Sequence, residues 1–421
     1  MQIENWKLKN QWRFLLNYSL ADQLTFSVWN FAFSVFAART LSPEAFGHFS
    51  IVLVFIFLGT ETIHCLLTRP MQTSFGSRST SREAFFEDHF QLGITLSLPV
   101  ALIVGIATFF YVDLILNVKQ ALNLAFAAAA LSLVRSIFEI RRKILHLTNR
   151  YMMSSIITNV TYVGALFCLV FDVFHTPHPI VNILVSLFAS TSVFTVPAVV
   201  KVLRKRVGIN QLIGLFLKTI KQGKWLFANF LASLMTGNYV LLFAAKYAPA
   251  SAIAALRIGQ TIISCFSLYL VSLDNSLPQI GSRKLSLEPY RSHLKWWLSI
   301  YGVVFLLSAF ATFVLYITAS KIVVIVWGEK YLEYIDFIET LCFMPIISTT
   351  SFMAQIYLRT TNASKDLFIG GLIVGLICLP LVPITLNNFG FTFVPYMMLG
   401  GAAATSMAWH IAILKNALRN R

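Results

Sequence analysis

Charge is scarce in this sequence. Asp, Glu, Lys and Arg make up 12% of the 421 residues, against roughly 25% in an average soluble domain. With 57% hydrophobic residues and a mean hydropathy of +0.73, the chain cannot cover a water-facing surface. That excludes a soluble enzyme with a single anchor, and it excludes a disordered chain. Cysteine is scarce too. Cys65, Cys168, Cys265, Cys342 and Cys378 all lie in apolar runs, none at metal-ligand spacing from another, and five unclustered cysteines give no disulfide framework. They are expected to be packing residues. There is no His-Glu-x-x-His zinc pair, no phosphate loop and no Gly-x-Ser-x-Gly elbow. The longest connection on the predicted outer side, 319–335, is too short for an outer catalytic domain. The expectation is a protein that is not an enzyme and carries no cofactor or metal.

Long apolar runs are what the sequence does have. A spanning helix needs roughly 20 mostly apolar residues. Such stretches occur near 14–38, 46–68, 90–112, 120–140, 151–172, 179–200, 224–246, 251–277, 296–318, 336–357, 366–386 and 394–414. Runs as long as Ile51 to Leu58 do not fit the alternating ~10-residue strands of a membrane barrel. The first stretch comes after Lys7, Lys9 and Arg13, is longer than a signal h-region and contains Asp22, so it is expected to be a span rather than a cleaved leader. The fold class expected is an all-α polytopic membrane protein with 12 transmembrane helices.

Basic residues fix the orientation. If the N-terminus and every second loop lie on one side, that side holds 27 of the 33 Lys and Arg. The opposite side holds five, and Arg257 lies inside a span. Lys and Arg collect on the cytoplasmic side, so both termini are expected there. The net charge of +16 is thereby explained by topology, with no nucleic-acid partner.

The longest connector, 201–223, carries Lys201, Arg204, Lys205 and Arg206 and then an amphipathic stretch from Gln211 to Gly223. It is expected to be a cytoplasmic, interfacial linker between two six-helix halves, 1–200 and 224–421. Six is even, so the halves would enter the membrane in the same sense, as a parallel repeat does. A short echo fits this. Phe36-Ala37-Ala38-Arg39 precedes Pro43, and Phe243-Ala244-Ala245-Lys246 precedes Pro249.

Ionisable residues inside spans cost at least ~2.5–3.5 kcal/mol each on insertion scales and so mark partners, cavities or ion paths. They are Asp22, Glu61, His64, Arg135, Glu139, Arg257, Asp274 and Glu339. Arg135 and Glu139 have the i, i+4 spacing of a helical ion pair. Asp22, Glu61 and Asp274 are candidate ion-coupling groups, with inter-helix hydrogen bonding as the alternative. Arg257 sits in Ala254-Ala255-Leu256-Arg257-Ile258-Gly259-Gln260, where small neighbours allow a ligand or another helix to approach. Its guanidinium suits a phosphate oxygen pair.

Several segments resemble one family. Arg39-Thr40-Leu41-Ser42-Pro43-Glu44-Ala45-Phe46-Gly47 is similar to the "aRxLgPeefG" turn of bacterial polysaccharide flippases, members of the multidrug/oligosaccharidyl-lipid/polysaccharide (MOP) exporter superfamily. Ala254 to Gln260 resembles its second-half counterpart. Trp327-Gly328-Glu329-Lys330-Tyr331 resembles an "xGxxY" segment, and Arg142-Lys143-Ile144-Leu145 with Asn149-Arg150-Tyr151 resembles the basic loop between helices 4 and 5. One departure is that Lys246 and Ala254 stand where the first turn has Arg39 and Gly47. The resemblance implies two six-helix bundles around a central cavity. It also implies outward flipping of an undecaprenyl-pyrophosphate-linked oligosaccharide, driven by an ion gradient. Arg39, Lys246 and Arg257 would then bind the substrate. Membrane lipids and other polysaccharide-assembly membrane proteins would be the partners, in the cell inner membrane. A drug/cation antiporter of the same superfamily is the alternative, and a membrane-embedded acyltransferase or polymerase the more distant one.

The orientation makes a direct prediction. Cysteines placed at Ser79 and Asn210 should be shielded from an impermeant thiol reagent in intact cells, and one at Glu329 should be labelled. Labelling at Asn210 from outside would contradict the two-half arrangement.

Overall fold

The computed structural model describes residues 22, 24–75, 82–114, 121–148, 150–174, 176, 178–205, 208–266, 268–361 and 363–419. Lys7, Lys9, Arg13, Arg78, Lys119, Asn149, Arg206 and Arg421 of the predicted loops lie outside them, and the side chain of Cys265 is not described either. The described residues form helices and turns, with no strand among them.

The helices in chain order are α1 (24–40), α2 (Pro43–Ile63), α3 (Arg69–Phe75), α4 (Arg82–Leu114), α5 (Ala121–Leu147), α6 (Tyr151–Val170), α7 (Pro179–Leu203) and α8 (Ile209–Thr236). They continue as α9 (Asn238–Ala244), α10 (Ala250–Phe266), α11 (Leu268–Leu287), α12 (Tyr290–Trp327), α13 (Ile335–Leu341), α14 (Met344–Thr360), α15 (Ser364–Phe389) and α16 (Val394–Arg419). Among the described residues nine helical segments are long and apolar enough to cross a membrane, and the bent pair Glu329–Leu341 with Met344–Thr360 makes a tenth. The shorter apolar helix Ala250–Ser264 and the helical stretch 24–40 occupy the two remaining predicted spans. The molecule is an all-α polytopic membrane protein.

Local sequence explains where helices start and bend. Ser42 accepts a hydrogen bond from the Ala45 amide at 3.1 Å, Pro43 fills the first turn and Glu44 faces the positive helix end, so α2 starts where its cap allows. Between α2 and α3 the helix widens into a π turn, His64–Thr68, in which the Arg69 amide donates to the His64 carbonyl. Pro70 has no amide hydrogen, and its ring would crowd the carbonyl four residues back. The widened turn relieves that conflict. One predicted span is a bent helix pair: 336–357 bends at 41° just before Pro345, between α13 and α14. The amphipathic stretch of the connector runs without a break into the first part of the next predicted span as α8, and α9 continues that span after Gly237.

The chain forms two compact units. One is Thr40–Phe230. The other combines Leu231–Arg421 with the chain up to Arg39. This grouping is by contact. The division into 1–200, 201–223 and 224–421 concerns repeat and orientation, and it stands as a proposal. In the first unit Ile63, Leu67, Phe90, Leu92, Ile94, Ile137 and Ile140 form a core, against which Leu212, Leu215 and Phe216 of α8 pack. In the second, Leu270, Leu277, Trp297, Met353, Tyr357, Leu367 and Trp409 do so, and the Trp409 indole donates to the Leu367 carbonyl at 2.8 Å.

Gly223 marks the tightest approach of α8. A Cβ there would lie 2.8 Å from the Cys65 carbonyl oxygen and 3.1 Å from that of Leu66, both in the π turn. Backbone cannot step aside as a side-chain tip can. Gly223→Ala should therefore destabilise the protein by about 1–3 kcal/mol. Gly214→Ala, on the same helix with nothing within 4 Å, should be neutral or stabilising by up to about 1 kcal/mol. Thermal unfolding of the two variants in detergent checks the opposite signs.

Candidate functional site

Three of the intramembrane carboxylates are held by cations from nearby helix ends. Glu61 on α2 accepts a hydrogen bond from Arg69, and its other oxygen lies 3.3 Å from His64 Nδ1. Glu139 on α5 is bonded by Arg142 Nη1 at 3.2 and 3.1 Å, and both residues are buried. The predicted partner at i−4, Arg135, lies over the Phe57 ring at 5.3 Å. Asp274 on α11 pairs with Arg359 on α14. Asp22 is buried. Glu339, expected to be solvated, is half-buried and accepts from Ser320 at 2.9 Å. Charge counting assigns Arg69 and Arg359 to loops, whereas in the fold each turns back onto a carboxylate. Removing either partner of such a pair leaves a stranded charge, which typically costs about 3–5 kcal/mol in a buried pair such as Glu139–Arg142 and less where, as for Glu61–Arg69 and Asp274–Arg359, the groups are part-exposed.

Arg257 is half-buried on α10 and donates to Gln260 Oε1 at 3.3 Å. One turn on, Thr261 donates to the Arg257 carbonyl at 2.9 Å and lies 3.3 Å from the Ser34 hydroxyl of α1. The small residues around Arg257 do admit a close neighbour. Ala252, Ala254 and Ala255 are fully buried, and a Cβ on Gly259 would come within 2.9 Å of Leu341 on α13. A helix takes up that close approach, while Arg257, Gln260 and Thr261 supply the polar groups. Sequence reasoning misses Gln260 and Ser34, because neutral polar residues give no charge signal.

Arg39 has a role that the sequence does not reveal. At the end of α1 its Nε donates to the Val326 carbonyl at 2.7 Å and its Nη2 to the Ile325 carbonyl at 2.8 Å, capping the C-terminus of α12. Reciprocally, Lys330 Nζ and the Tyr331 hydroxyl donate to the Ala38 carbonyl at 2.8 and 3.0 Å. Each helix end leaves carbonyls without intrahelical partners, and each supplies donors to the other. Gly328 makes the geometry possible: its φ of +93° is a conformation other residues rarely adopt, and its amide bonds back to Val323 and Val324. Thus the Arg39 and Gly328-Glu329-Lys330-Tyr331 motifs form a single clasp. Phe31 stacks edge-on against Trp327 beside it at 5.4 Å. Lys246, the second-half counterpart of Arg39, is exposed, with its ammonium 5.7 Å from the neighbouring Tyr247 ring.

No protein-family model and no curated protein matches the sequence. Solved structures do match. The eukaryotic MATE transporter AtDTX14 superposes with a TM-score of 0.70 at 10% identity, over 97% of each chain. A multidrug resistance MATE family transporter of the MOP superfamily, in an outward-facing conformation, gives 0.65 at 11% identity, over 96% of this chain and 95% of the other. A MOP superfamily transporter from Pyrococcus furiosus, described as having a binding pocket of reverse polarity that suggests a different function, gives 0.64 at 11%, with the same coverage. At such identities the likeness defines the fold, which is that of the MOP superfamily transporters.

The clasp predicts three unequal outcomes. Arg39→Ala should lower stability by about 1–2 kcal/mol, through two lost charge-assisted bonds at an exposed site. Arg39→Ala combined with Lys330→Ala should depart from additivity by about 0.5 kcal/mol or more. Lys246→Ala should stay within about 0.5 kcal/mol of the parent. Thermal denaturation of the parent, the Arg39→Ala, Lys330→Ala and Lys246→Ala single variants and the double variant measures all three.

Proposed function

We propose that this protein is an alternating-access transporter that moves a lipid-linked oligosaccharide with an anionic pyrophosphate headgroup outward across the cytoplasmic membrane. The observation that carries this reading is the pairing of Arg257 with Gln260 on α10. A planar guanidinium within a span suits two phosphate oxygens, and the amide beside it suits sugar hydroxyls. The positions one turn away on the same helix are Ile253 and Thr261, so α10 supplies no carboxylate of its own to neutralise Arg257. The fold supports a transporter, and the short turn motifs support the polysaccharide branch. An ion gradient would drive the cycle, with Asp22, Glu61 and Asp274 as the coupling candidates. Arg39 and Lys246 would contribute to substrate binding only in a state in which Arg39 leaves the clasp.

The second reading is drug/cation antiport, favoured by solved neighbours described as multidrug MATE transporters. It would use the acidic groups rather than Arg257 to hold the cargo.

The variants separate the readings in proteoliposomes. Arg257→Ala should reduce flux of an undecaprenyl-pyrophosphate oligosaccharide at least about tenfold at normal abundance, and Arg257→Lys should reduce it less, because the charge stays and the fork is lost. Uptake of a cationic dye that is unaffected by Arg257→Ala but abolished by Asp22→Asn or Glu61→Gln would favour antiport. If Arg257→Ala instead lowers abundance, and Asp22→Asn or Glu61→Gln then restores both abundance and flux, Arg257 is an internal counter-ion and the ligand reading fails.

A further inference from the structure

The first half of α8 shows three distinct sides. Leu212, Leu215 and Phe216 pack against a core drawn from one end each of α2, α4, α5 and α7, and Gly223 seats the helix on the π turn. A second side, Ile209, Ile213 and Leu217 at successive turns, is 75%, 50% and 60% exposed. Lys218, Lys221 and Lys224 are exposed beside it. The segment before it ends in exposed Lys201, Arg204 and Lys205. Two polar ties fix this region to α4: Lys205 pairs with Glu87 at 2.6 Å, and Gln211 bonds Asp88 at 2.9 Å. Six basic residues therefore surround three exposed aliphatic side chains that no part of this unit covers.

We propose that residues 209–222 form a docking surface for the anionic phospholipids of the inner leaflet, with Ile209, Ile213 and Leu217 dipping into the acyl boundary and the lysines at phosphate level. Three observations select this occupant over a protein partner. The apolar span begins at Gly223, directly after the segment, so the segment enters the bilayer at its own C-terminal end. Its packed side lies against residues near the ends of α2, α4, α5 and α7, so the exposed aliphatic side faces away from the core of the unit. The charges around the aliphatic side are of one sign at the exposed positions, and an apolar strip flanked by lysines is how a helix lies in an anionic interface. The inference does not depend on which substrate is carried.

The test uses the full chain carrying Ile213→Cys labelled with NBD, reconstituted in phosphatidylcholine vesicles containing a minority of phosphatidylglycerol. The unsubstituted chain labelled in parallel gives the background from native cysteines. Either lipid is supplied in a form brominated high in the acyl chain. The proposal expects blue-shifted emission, with quenching by brominated phosphatidylglycerol exceeding that by brominated phosphatidylcholine roughly twofold or more at equal mole fraction. Lys218→Gln, Lys221→Gln and Lys224→Gln together should bring the two to parity while emission stays blue-shifted. Water-like emission without quenching would overturn the proposal and point to a protein partner or to solvent. Equal quenching by both lipids in the parent chain would overturn it as well. Outside labelling of Asn210→Cys would move the surface to the other leaflet and so refute the assignment to the inner one, even if lipid contact were seen.

Discussion

A charge inside a bilayer must be neutralised or kept wet, and this fold is arranged around that requirement. Glu61 with Arg69 and His64, Glu139 with Arg142, and Asp274 with Arg359 each join a carboxylate in a span to a cation that comes from the same helix or from a helix packed against it. The pairs fix more than charge. Arg69 reaches Glu61 across the π turn that Pro70 requires, and that turn presents the carbonyls on which Gly223 seats α8. The irregularity that Pro70 imposes thus serves both the ion pair and the seat of the connector helix. Arg257 also donates a hydrogen bond to the amide of Gln260 on its own helix.

The helices were legible because each reports itself locally. Twenty apolar residues are a span whatever surrounds them, and Ser42-Pro43-Glu44 is a helix start in any context. What was not legible is what depends on a distant residue. Arg39 caps carbonyls 286 and 287 positions away, and backbone carbonyls carry no residue signature. Arg359 lies 85 positions from Asp274, and from sequence alone it belongs with the loop charges. Glu139 has cations at i−4 and at i+3, and spacing cannot rank them. The bend before Pro345 was hidden by continuous hydrophobicity, which measures burial or lipid contact and not straightness.

The motifs that suggest a family divide in two once the fold is known. The Arg39 turn and the Gly328-Glu329-Lys330-Tyr331 segment meet as a clasp between two helix ends, so in this fold they serve architecture. The segment from Ala254 to Gln260 packs through its small residues, with Gly259 against α13, and carries the Arg257–Gln260 polar pair alongside. In the proposed reading, architecture and cargo are carried by different residues. Solved transporters at about 10% identity share the former, and only residues such as Arg257 and Gln260 speak to the latter.

The most direct test is headgroup binding itself. Native mass spectrometry of the detergent-purified protein with undecaprenyl pyrophosphate should show a bound adduct, lost or reduced at least about tenfold in Arg257→Ala and kept in Lys246→Ala. Equal adduct in parent and Arg257→Ala proteins, or none in the parent where a cationic dye binds instead, would contradict an anionic cargo held by Arg257.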